Sequence, residues 1–162
     1  MIKKLSMFLG IVAISAVVGA APTSGPAPDF RLAARDGSQV SLTGLRGEVV
    51  MINFWATWCG PCRIEIPDLV ALQEEFGSES FTVVGISTDL DEPEFVKQFA
   101  NAMKINYPVL LDDGEISEAF GGVYALPTTF VVDKTGKITH RTIGLFPVEA
   151  VREELSEMIS TD

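Results

Sequence analysis

The sequence predicts one α/β domain: a central mixed β-sheet flanked by helices on both faces, with an N-terminal β-hairpin. Three observations lead there. Val49 to Trp55 is an apolar run broken only by Asn53, and Phe81 to Ser87 is a second, mostly apolar run. Strands buried on both faces read this way, rather than as alternating patterns. The segments between these runs carry helical signals, and strands joined by helical crossovers lie parallel. Near the end of the chain, Thr128 to Val132 and Lys137 to Ile143 flank Lys134-Thr135-Gly136, which reads as a turn between antiparallel partners.

Taken in order, the chain opens with Lys3 and Lys4 ahead of a stretch from Leu5 to Ala21 that is apolar or small. A positive start, an apolar run and the small residues Val18-Gly19-Ala20 form a targeting segment, residues 1–21, read as a signal peptide or an uncleaved N-terminal membrane anchor. The run is slightly short for a membrane span, which needs roughly 20 residues. Either reading exports the rest of the chain, to the periplasm or the outer face of a membrane, where disulfide chemistry is usual. Residues 22–28, with Pro22, Pro26 and Pro28, read as a linker, and the domain is expected over 29–162.

Asp36-Gly37, between Phe30-Arg31-Leu32 and Val40-Ser41-Leu42, signals the hairpin. After the first buried strand, a helix is expected from the Cys59–Cys62 segment through Glu65, Leu69 and Leu72 to about Phe76; Gly77 stops it and Pro67 should kink it. Pro93 suits a first helical position, with the helix continuing to Lys104. Tyr107 to Leu111 reads as a short strand, Glu115 to Phe120 as a short helix, and Pro147 to Ile159 as a last amphipathic helix with Val148, Val151, Leu155, Met158 and Ile159 on one face.

The formal net charge is −10. Such a balance argues against nucleic acid and against an anionic membrane surface as partners. The chain has two cysteines, three positions apart, and one histidine, His140. A bridge closing so small a loop would stabilise the fold by only about 2 kcal/mol, against roughly 4–5 for a 100-residue loop. Four-coordinate zinc would need two further ligands. Redox chemistry remains for Trp58-Cys59-Gly60-Pro61-Cys62.

That chemistry needs a thiolate. A free cysteine titrates near ~8.5, so about 3% is thiolate at pH 7. Cys59 is expected at a helix N-terminus, where unpaired N–H groups and the dipole favour an anion. A pKa of about 7 would raise the thiolate fraction about 16-fold, and lower nucleophilicity takes back roughly fivefold. The helix end therefore does more for Cys59 as a leaving group than as a nucleophile. Cys62, one turn further in, is placed to resolve a mixed disulfide on Cys59.

The run Asn53-Phe54-Trp55-Ala56-Thr57-Trp58-Cys59-Gly60-Pro61-Cys62-Arg63, then Pro67, then Leu126-Pro127-Thr128-Thr129-Phe130, resembles the thioredoxin superfamily. Pro28-Asp29-Phe30, Asp36-Gly37 and Leu45-Arg46-Gly47 are similar to its exported TlpA/ResA/DsbE-like branch, over about residues 28–160. The resemblance implies a thioredoxin fold and a thiol–disulfide oxidoreductase. Its only redox group would be a Cys59–Cys62 disulfide, with no separate cofactor and no metal. It implies a cis peptide bond at Pro127, which brings Leu126 beside the cysteines with backbone free for an extended substrate, and Trp58 as cover and contact surface. Partners would be oxidised client proteins, for example in cytochrome c maturation, and a membrane thiol–disulfide electron donor; the protein would be a monomer. Cytoplasmic thioredoxins carry a buried aspartate where this chain has Asn53, which cannot titrate. In this branch a carboxylate after the second buried strand is implicated in proton transfer, and Asp89 and Asp91 are the local candidates, each otherwise a solvated acid or a helix cap.

Two other readings differ in class. A peroxiredoxin-like peroxidase shares the opening segment, but Ala56 stands where its threonine is expected, three positions before Cys59. A copper-binding metallochaperone could use two thiolates for Cu(I), though no third ligand is evident.

Overall fold

The computed structural model describes residues 24–77, 80–89, 93–112 and 114–161. The targeting segment and Asp91 lie outside these residues. A six-stranded mixed sheet forms the centre, in the order β1-β8-β7-β4-β5-β6. Its middle is β4 (Val49–Trp55), every residue of which is buried, paired parallel to β5 (Phe81–Ser87) and antiparallel to β7 (Thr128–Val132). The apolar run thus becomes the strand with no edge. β6 (Val109–Leu111) extends the parallel side, and β8 (Lys137–Ile143) the antiparallel side.

Helices α1 (Gly60–Phe76), α2 (Pro93–Ala102) and α4 (Val148–Ser160) cover one face, where Ile66, Leu69, Leu72, Val96, Ala100 and Leu155 meet Met51, Trp55, Val83 and Val109. The other face is closed by α3 (Glu115–Ala119) and by the N-terminal hairpin, β2 (Arg31–Ala33) with β3 (Gln39–Ser41). There Phe130 packs edge-on against Phe54 and Phe120, with centroids 6.0 and 4.9 Å away. Helices on both faces and the N-terminal hairpin agree with the expectation.

Boundaries differ locally. The segment read as a linker contributes a strand: β1 (Gly25–Pro26) pairs with Ile138 and Lys137, and the N–H of Ala27 donates to the Gly136 carbonyl. Proline fits there because an edge strand does not need its N–H. α2 ends at Ala102 rather than Lys104, because Lys104 and Ile105 turn back to the Asn101 and Ala100 carbonyls.

Candidate active site

β4 and β5 end side by side at Trp55 and Ser87, so the chain leaving β4 must turn at the edge of the sheet. That turn carries Thr57, Trp58 and Cys59, and α1 begins at Gly60 with Pro61 in its first turn. Cys59 is the N-cap. Its extended backbone aims Sγ back at the helix, and the Cys62 N–H donates to that sulfur at 3.2 Å. An N–H directed at the sulfur favours a thiolate there once the bond is reduced. The two cysteines are joined in a disulfide, with Cα atoms 5.3 Å apart. Both cysteines are buried, Cys59 5% exposed and Cys62 1%, so what surface the pair offers lies on Cys59. Gly60 has open space where a side chain would stand.

Trp58 is 72% exposed beside Cys59, so it offers contact surface more than cover. The Leu126–Pro127 bond is cis, as the resemblance implied. Leu126, with Trp58, Thr88, Val123 and Tyr124, lines a cleft of about 260 Å³, which Trp58 borders one residue ahead of Cys59. Trp55 is buried and stacks on Phe99 at 5.5 Å, and the Arg63 guanidinium lies over that ring at 5.3 Å. His140, on β8, pairs with Glu154 at 2.6 Å. Among the described residues no three His, Cys, Asp or Glu side chains are grouped to hold a metal ion.

Asp89 is half-buried and both of its oxygens are engaged. Oδ2 accepts from the Thr57 N–H at 2.9 Å and the Ser87 hydroxyl at 2.7 Å, and Oδ1 accepts from the Thr57 hydroxyl at 2.7 Å. The carboxylate therefore clamps the turn that presents Trp58 and Cys59.

The acid buried beneath the cysteines is Glu65, whose importance sequence reasoning missed. It follows Cys62 by three residues on the inward face of α1 and is 2% exposed. The Asn53 amide donates to Oε2 at 2.8 Å and the Phe146 N–H to Oε1 at 3.1 Å. Burial pushes its carboxyl up to about 7, against the opposing effect of these two donors; Asp68 adds to the rise. Such an acid exchanges protons near neutral pH, and strongly shifted groups cluster at functional sites. A carboxyl at i+3 from Cys62, on the stripe of Ile66, Leu69 and Leu72, was the available signal.

The sequence itself matches the AhpC/TSA family over residues 23–141. It is 35% identical over 130 residues to the thiol–disulfide oxidoreductase ResA of Bacillus thuringiensis (strain Al Hakam), covering 80% of this chain and 72% of that one. To the thioredoxin-like protein YneN of Bacillus subtilis (strain 168) it is 34% identical over 130 residues, covering 80% and 76%. Among solved structures, a thiol:disulfide interchange protein of the thioredoxin family from Chlorobium tepidum TLS superposes with a TM-score of 0.77 at 34% identity, covering 87% of this chain and 100% of that one.

Proposed function

Since the chain belongs to the AhpC/TSA family and is a thiol–disulfide oxidoreductase of thioredoxin fold, we propose that it works in the reducing direction, as an exported reductase of client-protein disulfides. The observation that carries this reading is the disulfide at the head of α1, with only Gly60 and Pro61 between its cysteines. Neither residue brings a charge or an imidazole to hold the Cys59 thiolate strongly, so the reduced form gains little and the pair stays a good electron donor.

In the proposed cycle, the Cys59 thiolate attacks a client disulfide, forms a mixed disulfide and expels one client thiolate. Cys62 then attacks Cys59 Sγ. The enzyme disulfide closes, the second client sulfur leaves, and two electrons have passed to the client. Glu65, one turn from Cys62 on the same inward face, takes the Cys62 proton during that attack and releases it toward the leaving thiolate. Trp58, Tyr124 and Leu126 receive the client strand beside Cys59. Asp89 holds the turn in place. Asp91, the other acid proposed from the sequence, lies outside the described residues.

Export follows from the targeting segment at 1–21, and a membrane thiol–disulfide donor returns the electrons; the TlpA/ResA/DsbE-like resemblance points to apo-cytochrome c or a similar exported client. The Cys59–Cys62 reduction potential, measured against glutathione, tests the direction. It should lie nearer about −270 mV than about −120 mV, and a value above roughly −180 mV contradicts a reductase.

A further inference from the structure

Asn53 occupies the centre of the sheet, opposite Thr129 on β7 and Gly85 on β5, and is 1% exposed. Its Nδ2 does all the visible bonding, donating to Glu65 Oε2 at 2.8 Å and to Thr129 Oγ1 at 2.9 Å. Its Oδ1 is buried without a protein partner. A carboxamide has a donor end and an acceptor end of nearly the same shape. Both neighbours on the bonded side can take either role: a hydroxyl donates or accepts, and a carboxyl accepts when ionised and donates when protonated.

The geometry points to Asn53 as a positioning residue whose carboxamide turns with the proton on Glu65, presenting Nδ2 to the ionised carboxylate and Oδ1 to the protonated carboxyl. The inference rests on the proposed role of Glu65 as the proton carrier. In the turned state Oδ1 accepts from the Glu65 O–H and from the Thr129 hydroxyl, which rotates to donate. The Phe146 N–H bonds Oε1 in both states. One buried amide atom lacks a partner in either orientation, so neither state gains an extra orphaned group, and the bond between Asn53 and Glu65 survives proton transfer. An aspartate at this position would instead place a second buried acid against the first. An apolar residue would leave Oε2 of the ionised Glu65 without its donor, a cost a buried charge bears heavily.

The other groups facing Glu65 are Asp68 on α1, whose charge opposes ionisation, and Tyr107 ahead of β6, whose hydroxyl burial and Glu65 together hold above its usual range. The cysteines do not titrate while they are joined, so the oxidised protein isolates the Glu65–Asn53 pair.

The test follows the Glu65 side-chain carboxyl carbon and the Asn53 Nδ2H₂ resonances by NMR across pH 5–9 in the oxidised, isotope-labelled protein. The expected result is one shared midpoint near 7, with the Asn53 signals becoming independent of pH in Glu65→Gln. If Glu65 titrates while the Asn53 signals stay fixed, the inference is overturned and the proton-carrier reading stands. If Glu65 keeps one charge state throughout, both fall. In Asn53→Leu the ionised Glu65 loses a charge-assisted donor and the protonated form a weaker neutral partner, so the midpoint of the client-reduction rate should move upward by no more than about one pH unit. An upward shift of about two units or more would mean that Asn53 serves the ionised form alone, and it also overturns the inference.

Discussion

The backbone N–H of Phe146 donates to Glu65 Oε1 at 3.1 Å, tying the loop after β8 to the helix that carries both cysteines. The same acid therefore couples the packing of that loop to its own charge. Its carboxyl sits at about 7 in the fold, against an ordinary 4.5. The folded protein thus binds this proton more tightly than the unfolded chain does. Its contribution to stability is full below pH 4.5 and is lost as pH rises through 7. Denaturant unfolding of the oxidised protein should show a decline on the order of 3 kcal/mol across that window. Glu65→Gln should flatten it. Asp36 and Asp133, held below the usual carboxylate range chiefly by hydrogen bonds from Ser38 and from Thr135 and Lys137, act in the opposite sense and at more acid pH.

The clamp from Asp89 onto Thr57 separates a positioning role from a titrating one. Asp89→Ala removes the acceptor for one N–H and two hydroxyls. It should cost about 1–3 kcal/mol of stability and slow client reduction severalfold, because Trp58 and Cys59 lose their fixed presentation. Asp89→Asn should recover part of both, with the pH midpoint of the rate unchanged. A shift of that midpoint in Asp89→Asn would assign proton transfer to this carboxylate instead.

Phe130 lies on the face of the sheet away from the cysteines, buried fully between Phe54 and Phe120. Phe130→Ala should destabilise the fold by about 3–5 kcal/mol. The reduction potential of the protein that remains folded should not change. Equilibrium unfolding and a glutathione titration on the same sample check both halves.

The parts of this molecule that were legible in the sequence are those fixed by local chemistry. β4 was visible because a strand paired on both sides and covered on both faces needs a nearly continuous apolar run, here broken only by Asn53. The cysteines were visible because they stand three positions apart, with Gly60 and Pro61 between them, just after a buried apolar strand. The burial of Glu65 was not, since an acid in the second turn of a helix ordinarily faces water. It is buried here by residues distant in sequence, Asn53 from β4 and Phe146 from the loop before α4. The choice among the acids after β5 was equally tertiary. Asp89 meets Thr57 only because β4 and β5 run parallel and end level with each other. The pairing of Gly25 and Pro26 with β8 escaped notice because two residues rich in turn character carry no strand pattern of their own.

The order of attack tests the account most directly. Full-length Cys62→Ser and Cys59→Ser variants, each mixed with an oxidised client, should differ in the covalent complexes they trap on non-reducing gels. Cys59, at the head of α1 with the Cys62 N–H aimed at its sulfur, should form a mixed disulfide that persists when Cys62 cannot resolve it. Cys62→Ser should therefore accumulate client complexes and Cys59→Ser should trap few. Equal trapping by both variants, or more by Cys59→Ser, would contradict the assignment of Cys59 as the attacking thiol.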